Sequence, residues 1–153
     1  ENVMPLVRQQ IPSAKLRLLG KEPPERLYSY SDLGVEVIGY VEDVVPYLNK
    51  SSVYVAPLFV GAGIRIKIIE AMATGLPVVA TKVSAAGINA SAQDGLFISD
   101  SPQRTDAMVV NLLINSNLAE ESGKKASQFV RNNFSWEGNV KIMQDYYYKI
   151  CGS

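Results

Sequence analysis

Short apolar runs alternate with helix-period stretches along this chain, and that alternation constrains its fold more than any other feature. Residues 14–19 (AKLRLL), 35–38 (VEVI), 52–56 (SVYVA), 77–81 (PVVAT) and 95–98 (GLFI) are strand-length and mostly apolar. Between them, residues 3–10, 23–33, 42–49 and 64–74 carry helical patterning. In the last of these, Ile66, Ile69 and Ala73 form one stripe, Ile68 and Met72 another, and Gly75 supplies a stop. From residue 102 onward the chain reads as two or three helical segments, broken near residues 134–137 (FSWE). Strands joined by helices must pair in parallel, because a parallel pair needs a crossover. The expectation is a doubly wound α/β domain, with helices on both faces of a parallel sheet and strands buried on both sides. Ligands of such sheets gather outside the carboxyl ends of the strands. Loops 20–24, 39–42, 57–63 and 81–86 are therefore expected to line one crevice.

Composition excludes several functions. Residues 1–153 make one domain, and 47% hydrophobic residues suffice for a packed core. Lys and Arg total 15, as do Asp and Glu, so no basic excess draws in nucleic acid or an anionic membrane surface. With no histidine, the chain cannot itself complete a Ser-His-Asp triad or offer a histidine base or metal ligand. Its one cysteine, Cys151, rules out an internal disulfide and a multi-cysteine metal site, fits a reducing compartment and is read as inert. No basic and then apolar leader opens the chain, and the longest apolar run, residues 53–64, is too short for a bilayer and is interrupted by Pro57, Gly61 and Gly63. The start at Glu1, with no initiator methionine, is read as that of a fragment of a larger protein.

The chemistry concentrates in residues 57–79. A strand feeds a Gly61-Ala62-Gly63 turn that opens a helix at Ile64, and glycines let backbone approach a ligand while free amides at a helix start attract anions. Arg65 and Lys67 place cations where the helix dipole disfavours them, which makes sense if an anion such as a diphosphate sits above; alternatively both reach only to solvent. Neither familiar phosphate motif fits. A P-loop needs Gly-Lys-Ser/Thr after its first glycine, and a dinucleotide fingerprint needs a third glycine where Ile66 stands. Glu70 lies roughly 10 Å along the axis from that helix start at about 1.5 Å per residue. Its carboxylate could accept hydrogen bonds from the vicinal hydroxyls of a ribose, or simply pair with Lys67 three residues earlier.

Residues 67–81, Lys-x-x-Glu-Ala-Met-Ala-x-Gly-x-Pro-Val-Val-x-Thr, resemble the signature of the donor-binding domain of GT-B glycosyltransferases, glycosyltransferase family 4 (glycosyl transferases group 1) in particular. Further marks span nearly the whole chain. Pro12-x-Ala14-x-Leu16-x-Leu18-x-Gly20 resembles the family's P-x-A-x-L-x-(I/L)-x-G strand, and Gly39-Tyr40-Val41-Glu42-Asp43 its G-x-V-x-D turn. Pro57-Leu58 follows the third strand as expected, and Phe134-Ser135-Trp136 is similar to the closing F-S-W.

The resemblance implies the Rossmann-like carboxy-terminal half of a retaining GT-B glycosyltransferase, which binds a nucleotide-diphosphate sugar and transfers its sugar to a saccharide or lipid-linked acceptor held by an amino-terminal domain. By that resemblance Glu70 holds the ribose hydroxyls. Gly61, Ala62, Gly63 and Ile64, aided by Arg65 or Lys67, face the diphosphate and sugar, while backbone around Tyr40 and Val41 meets the base. Tyr40 could equally be an ordinary half-buried aromatic. The resemblance implies no resident cofactor and no metal, no nucleic-acid partner, a cytoplasmic setting in polysaccharide or glycolipid assembly, and any membrane attachment through the other half. Catalytic residues are assigned to none of these positions, and the fragment alone is expected to be inactive. Many relatives carry a glutamate where Ala62 stands, and the family's basic phosphate-binding pair follows a first strand that is expected to precede Glu1. A GT-B nucleotide-sugar epimerase, a flavodoxin-like receiver and a bare nucleotide-binding module are the alternatives. Tyr146, Tyr147 and Tyr148 near the end are read either as packing on their own domain or as a contact with the amino-terminal half.

Overall fold

The computed structural model describes residues 2–152. Helix α1 (Met4–Gln10) leads to strand β1 (Leu16–Leu19), a 3-10 segment (Glu25–Leu33), β2 (Val35–Gly39) and α2 (Val45–Asn49). There follow β3 (Tyr54–Ala56), α3 (Ile66–Ala73), β4 (Val78–Ala80), α4 (Lys82–Ala85), a 3-10 turn (Ala92–Asp94) and β5 (Leu96–Ile98). Helices α5 (Pro102–Ile114), α6 (Ser116–Phe134) and α7 (Trp136–Cys151) complete the chain, with Ser135 capping α7 through the Gly138 amide.

Every strand pairing is parallel, but the ladders fall into two groups, β1–β2 and β3–β4–β5. Among the described residues, β1 and β3 each pair along one edge only. The single sheet expected from the alternation is thus divided, because nothing within residues 2–152 supplies a strand to either free edge.

Double winding is clearest at β4, the one strand of the five buried throughout. Alternate residues of a strand point to opposite faces. Val78 and Ala80 accordingly join Ile68, Ala71 and Met72 of α3 and Ala126 and Val130 of α6 on one side. Val79 joins Val7 of α1 and Val109, Val110 and Leu112 of α5 on the other. Burying a side chain such as Ile68 or Met72 stabilises by about 1.5–3 kcal/mol. The expectation that all strands are buried on both sides holds for β4 but not for β1 and β2, which are only half-buried. Their link is partly ionic: Glu36 accepts from Lys15 Nζ at 2.6 Å and Arg17 Nε at 3.1 Å, and these two bonds hold its carboxyl below the usual carboxylate range.

Three expected elements differ in detail. The helix expected over residues 23–33 is instead the 3-10 segment Glu25–Leu33, since Leu27, Tyr30 and Leu33 recur at a spacing of three, the period that aligns side chains on one face of a 3-10 turn. These three line an apolar cavity with Met4, Leu16, Leu18 and Val35. Helix α3 begins at Ile66, not Ile64, and of its two apolar stripes it buries the one containing Ile68 and Met72, leaving Ile66 exposed. Helix α2 starts only at Val45, whose amide is taken by Asp43 Oδ1 at 2.9 Å.

The packing of α6 on α3 depends on two glycines. A side chain at Gly123 would bring its Cβ to 1.9 Å from the carbonyl oxygen of Gly75, so the helix can lie this close only where it carries none.

Candidate functional site

Between β3 and α3 the chain runs through Pro57–Arg65 as a loop whose apolar side chains Leu58, Phe59, Val60 and Ile64 are exposed. Its root is fastened to the turn after β4. The Thr81 hydroxyl donates to the Leu58 carbonyl, and the Ser84 hydroxyl accepts from the Leu58 amide at 3.1 Å. Thr81 also caps α4 by accepting from the Ser84 amide at 3.2 Å. Loops 57–63 and 81–86, two of the four expected to line one crevice, are thereby joined, and Gly87 leaves room for Ile64, which a Cβ there would approach to 2.9 Å.

Loops 20–24 and 39–42 form a second pair. The Gly20 amide donates to the Gly39 carbonyl at 2.8 Å, continuing the β1–β2 ladder to its carboxyl end. Tyr40 follows, 63% exposed, so it is not the half-buried aromatic that the sequence left open; Val41 beside it is half-buried. Lys21 Nζ lies 4.8 Å from the Tyr40 ring centroid.

At the start of α3 no side chain caps the helix, and its first amides remain as donors for an anion. Gly61 and Gly63 both take positive φ, 142° and 79°. Arg65 is the N-cap residue rather than a member of the first turn. Its guanidinium curls back on the loop, where Nη1 donates to the Ala62 carbonyl at 3.0 Å. It fills the space beside Gly61, where a Cβ would fall 1.8 Å from Nη2. Arg65 Nε is buried with no hydrogen-bond partner among the described residues, a group that costs about 1–3 kcal/mol when left unsatisfied. Lys67 is exposed.

Glu70 shares the exposed face of α3 with Ile66, Lys67 and Ala73. Because the helix starts at Ile66, it stands about 6 Å along the axis at about 1.5 Å per residue, closer to the loop than the sequence suggested. The expected alternative, a Lys67–Glu70 pair, is not formed: among the described residues no ion pair joins them. Burial pushes the Tyr54 phenol on β3 above its ordinary value, and the Glu70 carboxylate adds to the rise. Sequence reasoning missed Lys21 and the Leu58 tether. The first was detectable, since Lys21 and Tyr40 each follow the glycine that ends a paired strand.

A family model described as glycosyl transferases group 1 matches residues 1–115. The chain belongs to the glycosyl transferases group 1 family. This member is 26% identical over 117 residues to the uncharacterized glycosyltransferase MJ1069 of Methanocaldococcus jannaschii, covering 74% of this chain and 30% of that protein. Its fold matches that of a mutant of S. aureus TarM, solved with fondaparinux, alpha-GlcNAc-glycerol and UDP, at a TM-score of 0.81 and 22% identity, over 94% of this chain and 31% of TarM. It matches Anabaena Alr3699/HepE, solved with UDP, at a TM-score of 0.81 and 16% identity, over 99% of this chain and 44% of that one. The group 1 chain thus spans less than half of each of these relatives. The expected GT-B, Rossmann-like α/β fold is the one it shares with them. Among the described residues, no helix is long and apolar enough to cross a membrane.

Proposed function

We propose that this chain is the donor-binding half of a retaining glycosyltransferase that moves a sugar from a nucleotide-diphosphate sugar to a saccharide or lipid-linked acceptor. The observation that carries the reading is the arrangement at α3. An uncapped helix start stands behind the Gly61–Gly63 turn, and about 6 Å further along the same helix, at about 1.5 Å per residue, comes Glu70, whose carboxylate joins no ion pair among the described residues. The diphosphate takes the amides at Gly63–Lys67, and Glu70 accepts the two ribose hydroxyls. Tyr40 and Val41, with the adjacent Lys21, lie at the ends of β1 and β2 for the base. That two fold relatives are solved with UDP supports a nucleotide as the ligand.

Transfer in this reading is driven by positioning and by charge stabilisation of the departing diphosphate, from the helix-start amides and from Arg65 or Lys67. Among the described residues Arg65 makes one hydrogen bond, from Nη1 to the Ala62 carbonyl, so Nη2 is available to an anion drawn to the turn. The acceptor and the groups that act on it belong to the other half.

The test is transfer by the intact protein from UDP-, GDP- and ADP-sugars, with the anomeric configuration of the product read by NMR. Transfer with retained configuration supports the proposal. Inversion contradicts the retaining step, and isomerised nucleotide-sugar without acceptor supports the epimerase alternative. The 153-residue chain alone is expected to transfer nothing.

A further inference from the structure

We propose that Lys21 and Tyr40 select the base of the donor, favouring uracil and guanine, which carry an exocyclic carbonyl, over cytosine and adenine, which carry an amino group there. The inference rests on the nucleotide-sugar reading and adds the class of nucleotide.

Parallel pairing of β1 with β2 opens their carboxyl ends side by side, and Lys21 and Tyr40 are the residues that follow Gly20 and Gly39 at those ends. Both turns hold unusual backbone. Gly39 has φ 81°, and Glu22 has φ 49°, the positive-φ residue other than glycine among the described residues. A non-glycine residue in that region is strained and persists where the surrounding structure requires it. Here the turn carries Lys21 over the Tyr40 ring, with Nζ 4.8 Å from the centroid. Among the described residues no carboxylate forms an ion pair with Lys21, although Glu22 is its neighbour. An exposed ring and a cation without an acid partner therefore stand together at the mouth of the two strands.

The two side chains offer a base different things. A ring stacks on any base, because every base has a π-face. An ammonium has donors and no acceptor, so it discriminates. A base laid on Tyr40 displaces Lys21 from the ring face to the ring edge, where its N–H groups meet the exocyclic group. Guanine O6 and uracil O4 accept there, whereas adenine N6 and cytosine N4 are themselves donors. Donor against donor leaves both groups unpaired, and a site built for one partner rejects the analogue lacking it more strongly than it rewards the right one. Tyr40 thus supplies affinity and Lys21 supplies the choice.

Calorimetric titration of the intact protein with UDP, GDP, CDP and ADP tests this, using the native chain, Lys21→Met, Tyr40→Phe and Glu70→Ala. The expected result is binding of UDP or GDP about tenfold or more tighter than CDP or ADP. Lys21→Met should erase that ranking while the amino bases bind as before, and Tyr40→Phe should preserve it because the ring remains. A ranking that survives Lys21→Met, or a native preference for CDP or ADP, overturns the inference while leaving the nucleotide reading intact if Glu70→Ala still weakens binding. Failure of all four nucleotides to bind overturns both.

Discussion

Thr81 and Leu58, 23 residues apart, are joined by a hydrogen bond from the Thr81 hydroxyl to the Leu58 carbonyl. Ser84 takes the amide of the same residue, so both backbone polar groups of Leu58 are satisfied by the turn after β4. The loop that carries Gly61 and Gly63 is thus anchored to the most buried strand of the sheet at its root and left open at its tip, where Val60 is 87% exposed. Thr81→Val removes the α4 cap and the tether together and deprives a part-buried carbonyl of its main donor, a loss of about 1–3 kcal/mol. Chemical denaturation should show that loss, Thr81→Ser should restore most of it, and nucleotide affinity should fall with the valine. Equal stability of the valine variant would show that the tether contributes nothing.

Gly123→Ala should destabilise, although alanine is the better helix former by about 1 kcal/mol. Its Cβ would meet the Gly75 carbonyl at 1.9 Å, which α3 and α6 can relieve only by moving apart. Overpacking of this kind costs about 1–3 kcal/mol. A lower thermal midpoint is expected; a raised one would mean that the two helices part freely.

The phenol of Tyr54 links the core to the site. Its folded value lies above the ordinary 10.0, from burial first and from Glu70 second. Stability from the neutral phenol is present in full below the unfolded value and is lost as pH rises through the raised folded one. Glu70→Gln should lower the Tyr54 titration without returning it to the ordinary value, since burial is unchanged, and should lessen the alkaline loss of stability. NMR titration of ring-labelled tyrosine, assigned with Tyr54→Phe, reads this directly. An unmoved Tyr54 titration would show that the Glu70 carboxylate does not act on that ring.

On α7, Trp136, Val140, Met143, Tyr147 and Ile150 follow helical spacing and are all exposed, Trp136 at 82%. Tyr146 and Tyr148 are exposed as well, so packing of the three tyrosines on their own domain, one of the two sequence readings, is not seen. On the proposed reading of this chain as the donor-binding half of a glycosyltransferase, the stripe lies against the other half. Hydroxyl-radical footprinting should find Tyr146–Tyr148 protected in the intact protein and reactive in the 153-residue chain. Equal reactivity would leave the stripe without that role.

What was legible in the sequence was whatever depends on local period. Strand β4 and helix α3 follow from the apolar run at 77–81 and from Ile68 and Met72, because burial of those residues repeats at the spacing of the element itself. The candidate loop was legible from Gly61 and Gly63, whose positive φ is a backbone demand. Features set by long-range contact were not. Arg65 read as a first-turn cation, yet its guanidinium curls back to the Ala62 carbonyl, a path no spacing specifies. Ile66 read as a core residue as readily as Ile68, and only the position of β4 and α6 decides between the stripes. The division of the sheet is of the same kind, since pairing depends on which strands are present to pair.

The central claim is that Glu70 holds the ribose of a nucleotide whose diphosphate sits at the start of α3. The most direct measurement is calorimetric titration of the intact protein with UDP, GDP and ADP beside the Glu70→Ala variant. One nucleotide is expected to bind and to lose about 1–3 kcal/mol without the carboxylate, the scale of hydrogen bonds to a charged group. Binding that is unchanged in Glu70→Ala would contradict it.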